Sequence, residues 1–325
     1  PSNGDLDAPA LSPYSQGVLE SLMELPAFED LTTLVHVPKG CSRRWGILYA
    51  ASFWYQNIAM DCSPDHQRLY SLLCYTLPLL ILHDDRATND VPGNLPATDT
   101  SAELVCTRKR VRDRLALAEQ GHWDILVQQL AQTYRSRAAR SPSPLSTPSF
   151  QKLCELACAK AAGRCFRAAA QLLTVTNCPP ISRQTFDLTK TLFLTTPLTL
   201  LENQQWRASL KRINALPAST LPTITQKAVA HRLLRIRAGA QPGCSRSRNS
   251  HLALVLQAPW GIIAMHGWVE RWAHGKVPPL VSAIWTSGHV KALGKSSPGV
   301  RPITLFEAPL KLATGVVLDS QKART

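Results

Sequence analysis

Acidic residues are scarce where this 325-residue chain is most basic: none occurs between Glu202 and Glu270, while nine Lys and Arg do. That stretch has no carboxylates to hold a divalent metal and none to neutralise its own cations. Long apolar runs are also missing. The longest, Leu69 to Leu82, carries Pro78 and falls short of the roughly 18–20 apolar residues that cross a bilayer, so no membrane span is expected. Nine cysteines stand singly at 41, 62, 74, 106, 154, 158, 165, 178 and 244, without a CxxC pair. An odd number without paired spacing argues against a disulfide framework and against a structural zinc site; neither a disulfide-linked partner nor a metal is expected. No basic-then-apolar leader opens the sequence, which begins with Pro1 rather than Met. The expectation is an intracellular chain, nuclear or cytoplasmic, that is processed or read from an incomplete frame.

What is present is a lopsided charge. Residues 1–150 hold 13 Lys/Arg against 16 Asp/Glu, a net of −3; residues 151–325 hold 23 against 6, a net of +17. Cationic charge gathered in one half of a chain invites a polyanion to share its field, so RNA or DNA is the expected partner.

Helical periodicity dominates the chain in order. Residues 1–16 are polar and read as a disordered lead-in. A helical period runs from Gln16 to Leu34, before the break Pro38-Lys39-Gly40. From Arg43 to Met60, Trp45, Leu48, Tyr49, Phe53 and Ile58 recur at helical spacing and are read as core. Arg43-Arg44 at the start opposes the helix dipole and suits a contact with a partner. Leu69–Leu82 reads as a buried helix kinked or ended at Pro78. Asp90–Ser101 is a linker. Glu103–Tyr134 reads as one or two helices broken at Gly121, the first carrying Arg108, Lys109, Arg110, Arg112 and Arg114. That cluster suits phosphate contacts as well as a solvated face. Ser141–Ser149 is a Ser/Pro linker and the favoured boundary. Further helices are expected over Phe150–Leu173, from Ser182 toward Phe193, over Ile224–Ile236 with Thr223 or Thr225 as its cap, over His251–Trp272, and from Pro278-Pro279 to Trp285. Gly243-Cys244-Ser245-Arg246-Ser247-Arg248-Asn249 reads as a basic loop. Its amides, with Arg246 and Arg248, would suit a phosphodiester strand, and a flexible linker is the equal alternative.

Near the C-terminus, His289–Gly294 and Val300–Leu305 flank Ser297-Pro298-Gly299-Val300, a sequence suited to a type II turn. A β-hairpin is expected there, with Lys295 and Arg301 near its tip and a helix from Ala308 behind it. Pro302 lacks a ladder donor, which suits an edge strand.

The order Lys-Ala-Leu-x-Lys, Pro/Gly turn, Val-Arg-Pro-Ile, then Leu-Lys-Leu resembles the fingers of reverse transcriptases, and most of all those of non-LTR (LINE-type) retrotransposons. Val35-His36-Val37-Pro38-Lys39, Leu77–Leu82, Gly121-His122-Trp123-Asp124, Gly163–Ala169 and Gly243–Asn249 resemble the region ahead of those fingers, so the likeness runs in order over about residues 35–319. It implies a mainly α chain with a small C-terminal β-hairpin, an α+β piece resembling incomplete fingers. Its parts would be a lead-in (1–16), an N-terminal helical domain (17–140), a linker (141–149), a basic helical region (150–240) and partial fingers (241–325). By the same resemblance Lys295 and Arg301 would hold a nucleotide's phosphates, while Arg246, Arg248, Lys291 and Lys311 would meet the template or other nucleic acid. Asp84-Asp85 after an apolar run has the shape of a polymerase metal box, but in the family that box follows Arg-Pro-Ile, so the pair reads as a polar helix exit. The palm that would hold Mg²⁺ is not reached, so no cofactor, no catalytic residue and no polymerisation are expected of this chain. The alternatives are an α-helical nucleic-acid-binding or scaffold protein unrelated to polymerases, or a degenerate, non-functional copy.

Overall fold

The structure, a computed structural model, describes residues 31–84, 100–138, 221–236, 242–286, 289–294 and 300–322, with isolated positions 158, 204 and 208. The expected lead-in, the Ser141–Ser149 linker and the helix from Ser182 lie outside the described residues, as does the helix over Phe150–Leu173 apart from position 158; the linker expected over Asp90–Ser101 is described only at Thr100 and Ser101, which already belong to a helix. The chain divides into two compact units: residues 1–139, 222–288 and 306–325 make the larger, and residues 140–221 and 289–305 the smaller. The described part is mainly α.

In the larger unit the helices are α1 (Ser42–Ala59), α2 (Pro64–Leu82), α3 (Thr100–Glu119), α4 (Trp123–Ala138), α5 (Gln226–Arg235), α6 (Asn249–Ala253), a 3₁₀ turn (Leu254–Gln257), α7 (Gly261–Ala273), α8 (Pro279–Trp285) and α9 (Ala308–Lys322). In the smaller unit β1 (His289–Gly294) pairs antiparallel with β2 (Val300–Leu305), Leu293 facing Arg301 and Gly294 facing Val300.

Helix α1 is central, packing against α2, α7 and the 3₁₀ turn. Trp45, Tyr49 and Phe53 recur every fourth residue, so one stripe of α1 delivers three rings to the core. Ring centroids step from Trp45 to Tyr49 at 4.8 Å and from Tyr49 to Phe53 at 5.0 Å. Phe53 then meets Trp268 of α7 edge-on at 5.7 Å, and Trp285 of α8 meets Trp268 and Tyr75 edge-on at 5.4 Å each. Edge and tilted contacts suit aromatic quadrupoles and add to the area buried. Ile58, expected on the same stripe, is 51% exposed, because five residues beyond Phe53 turn the helix about 140° away.

Pro78 does not end α2, which runs on to Leu82. Leu79, Leu80, Ile81 and Leu82 are all fully buried, and burying four such side chains outweighs the roughly 3 kcal/mol that an interior proline costs. Gly121 closes α3 as read: with φ +79° it lets the His122 amide reach the Leu117 carbonyl at 2.9 Å while its own amide bonds Ala118. Thr225, not Thr223, caps α5, its hydroxyl accepting from the Ala228 amide at 3.1 Å. The stretch 251–272 is two helical pieces separated at Ala258-Pro259-Trp260.

Candidate functional site

The basic loop 243–249 is a buried, internally bonded segment rather than a linker. Ser245, Ser247 and Asn249 alternate inward, while Arg246 and Arg248 are only half-buried. Arg246 takes a positive φ of 58°, and its amide closes back on the Gly243 carbonyl at 3.1 Å. That tight turn points consecutive amides to one side, a concavity suited to an anion. The anion is already there. Glu307, fully buried at the N-terminal cap of α9, accepts from the Ser245 amide at 3.0 Å, from the Ser245 hydroxyl in a short bond, and from the Tyr75 hydroxyl at 3.3 Å. Gly243 makes the approach possible, since a Cβ there would stand 2.5 Å from a Glu307 oxygen. The Ser247 amide is also used, donating to the Ser245 hydroxyl at 3.1 Å. The loop amides expected to face a phosphodiester are therefore taken up inside the protein.

Burial pushes the Glu307 carboxyl above its ordinary range, with the bonds from Ser245, Tyr75 and the Cys244 amide opposing that rise. Burial, with the Glu307 charge beside it, also raises the Tyr75 phenol, so Tyr75 stays protonated and remains the donor. Lys311, one turn beyond Glu307, is half-buried. Burial lowers its pKa and the Glu307 charge opposes that. The carboxylate ties α9 to the loop and to α2.

The second arginine of the loop is tied to the segment 33–35. Arg248 donates to the Thr33 carbonyl at 3.3 Å, and the Thr33 hydroxyl donates to the Arg246 carbonyl at 2.8 Å. Burial and the neighbouring Arg246 charge lower the Arg248 pKa. His251 completes this anchor. Its Nε2 donates to the Leu34 carbonyl at 2.7 Å and its Nδ1 accepts the Arg248 amide at 3.3 Å, which fixes a neutral ring protonated on Nε2. Trp45 in turn donates to the His251 carbonyl at 3.1 Å.

Of the residues expected at the site, Arg246, Arg248 and Lys311 lie in the larger unit around this network. Lys291 and Arg301 lie on β1 and β2 in the smaller unit, and Lys295 falls outside the described residues. Sequence reading missed Glu307, Tyr75 and Ser245. The signal was available: one of only six acids in the basic half stands immediately before a helix beginning Ala-Pro, where a carboxylate accepts backbone amides.

The five cations of α3 separate by role. Arg114 is 7% exposed and donates to the carbonyls of Ile81 (3.4 Å) and His83 (3.1 Å), closing the C-terminal end of α2. Arg110 donates to Thr107. Arg108, Lys109 and Arg112 face solvent. Arg44, expected to await a partner, has an internal one: Glu119 at the end of α3, with Nε to Oε1 at 2.8 Å.

Among the described residues no three His, Cys, Asp or Glu side chains gather as a metal site would require, and no helix is long and apolar enough to cross a membrane. No family model matches the chain, and no curated protein or solved structure is similar to it.

Proposed function

We propose that the chain is a nucleic-acid-binding piece of a reverse-transcriptase-like protein of the non-LTR retrotransposon kind, with Lys295 and Arg301 holding the phosphates of a nucleotide or strand. One observation carries the reading. Strands β1 and β2 pair antiparallel with Leu293 opposite Arg301, leaving only residues 295–299 between them. Lys295 follows β1 directly in sequence and Arg301 is the second residue of β2. A guanidinium and an ammonium near one turn give a phosphate a forked donor and a point charge. Polymerisation stays outside the proposal. The two acids that follow Arg301-Pro302-Ile303 are both engaged: Glu307 by Ser245 and Tyr75, and Asp319 by Arg232 at 3.0 Å. Neither is placed to hold Mg²⁺ at a primer end.

A fluorescent deoxynucleoside triphosphate titrated into the full chain tests the reading. The Lys295→Ala/Arg301→Ala variant should bind at least about tenfold more weakly, since a charge-assisted contact contributes about 1.5–3 kcal/mol. Equal binding by the variant refutes the assignment. Metal-dependent, template-directed extension by this chain would refute the inactive reading.

A second reading, a helical nucleic-acid-binding protein without polymerase descent, is favoured by the mainly helical described part of the larger unit and by the solvent-facing cations of α3. It predicts nucleic-acid binding that ignores Lys295 and Arg301.

A further inference from the structure

We infer that the start of α1 and the outer face of α3 together form a phosphodiester-binding surface on the larger unit, with Arg43, Arg108 and Arg112 contacting successive phosphates of a single strand of RNA or DNA. The inference rests on the nucleic-acid-binding reading but not on the hairpin.

Two segments about seventy residues apart in sequence bring their cations to one place. Arg108 and Arg112 stand one turn apart on α3 and both face solvent. The Arg108 guanidinium closely approaches Gly40, so that a Cβ there would be 2.6 Å from Nη2 and 3.3 Å from Cζ and Nε. The positive φ of Gly40 (85°) turns the chain from Lys39 into α1 directly beneath that group. Arg108 thus stands beside the turn while remaining exposed, so its charge and that of the α1 start are presented on the same side. The buried Cys41 thiol lies two residues before Arg43: burial raises its pKa while the charges of Arg108, Arg44 and Arg112 pull it down, which sets the two exposed α3 arginines beside the turn that leads into Arg43.

These charges are not neutralised from within. Arg44 is paired with Glu119, but Lys39, Arg43, Arg108 and Arg112 have no side-chain hydrogen bond or ion pair among the described residues. Asp113 follows Arg112 in sequence yet makes no ion pair among them either, as adjacent helical residues point apart. Helix α1 has no acid in its first turn and no side-chain cap, so its dipole adds to the same positive field. Like charges at i and i+4 on α3, and arginine at the positive end of α1, both disfavour the fold in isolation. A polyanion relieves both. Contrast the arginines that do have structural work: Arg114, Arg232 and Arg271 each meet a carbonyl or carboxylate.

Fluorescence anisotropy of a labelled single-stranded RNA, about 20 nucleotides long, titrated with the full chain across a salt series, tests this. Each phosphate contact contributes about 0.7 to the log–log salt slope, so Arg43→Gln/Arg108→Gln/Arg112→Gln should flatten it by about 2 and weaken binding about 100-fold near 0.1 M salt. The variant Lys227→Gln/Arg235→Gln/Lys276→Gln removes the same charge from positions also exposed, and should stay within about threefold of wild type. Replacing the three arginines by lysine keeps the charge, and should preserve the slope and most of the affinity. An equal loss in the Lys227 control overturns the inference, because total charge alone would then explain binding. No loss on removing the three arginines overturns it while the nucleic-acid reading stands. Loss with the lysine triple overturns it in favour of packing. A wild-type chain that fails to bind at about 50 mM salt overturns both. If instead Lys295→Ala/Arg301→Ala binds this RNA as wild type does while the arginine triple fails, the surface stands and the hairpin is not what grips the strand.

Discussion

Acidification should loosen the larger unit through His251, and by an amount that can be worked out. The ring is buried, donates from Nε2 to Leu34 and accepts at Nδ1 from the Arg248 amide. A proton added to Nδ1 would set two N–H groups against each other beside the positive charge of Arg248 and within the field of His36. Burial, the largest cause, takes the pKa from 6.5 down to about 3. The unfolded chain therefore takes up a proton near pH 6.5 that the folded chain refuses. Stability is complete above that value and is lost as pH falls through it toward about 3. From the difference in proton uptake the loss between about pH 7 and pH 5 is about 2 kcal/mol, growing to about 4 kcal/mol near pH 3. Urea unfolding followed by tryptophan fluorescence measures it, because every tryptophan except Trp206 lies in the larger unit. The His251→Gln variant cannot titrate. It should start about 1–3 kcal/mol less stable at neutral pH, having left the Arg248 amide unpaired, and the gap to wild type should close on acidification. Two curves that fall in parallel between about pH 7 and pH 5 would refute the reasoning.

Glu307 has the opposite sign. Its folded pKa is raised above the usual 4.5, so its contribution is present below that value and declines as pH rises through the folded pKa; the stability difference between wild type and Glu307→Gln, measured from about pH 4 upward, should shrink with rising pH. Arg114→Met should cost about 1–3 kcal/mol in thermal or urea unfolding, by stripping the donor from the carbonyls of Ile81 and His83. The same variant should leave RNA affinity within about twofold of wild type, since Arg114 is buried whereas Arg108 and Arg112 are exposed.

Periodic apolar patterning made the helices legible. The aromatic stripe of α1, the glycine stop of α3 and the proline start of α8 each rest on contacts within a few residues. What could not be read locally was the use of polar groups across long sequence distances. Ser245 and Glu307 are 62 residues apart, Tyr75 and Glu307 are 232, and Arg248 and Thr33 are 215. In sequence, Gly243–Asn249 shows only glycine, serine and arginine, the composition of an exposed loop. Its alternation of buried serines and half-buried arginines arises because Glu307 and the segment 33–35 supply partners from elsewhere. The α3 cations illustrate the same limit: five basic residues look alike in sequence, and only the arrival of the α2 C-terminus tells Arg114 from Arg112. A linear division at linkers likewise cannot express a unit assembled from three separated segments.

That discontinuity sets an order on folding. Residues 1–139 leave a synthesising ribosome long before their packing partners exist. The ring of Trp45 has no His251 to meet, and that of Phe53 no Trp268 or Trp285, until those residues have been made, and the Ser245 amide has no Glu307 acceptor until that residue emerges. So much closure between distant segments makes for slow folding, with greasy helix faces bare in the interval. The apolar faces of the early helices are therefore the part of the chain most open to aggregation before α9 is made.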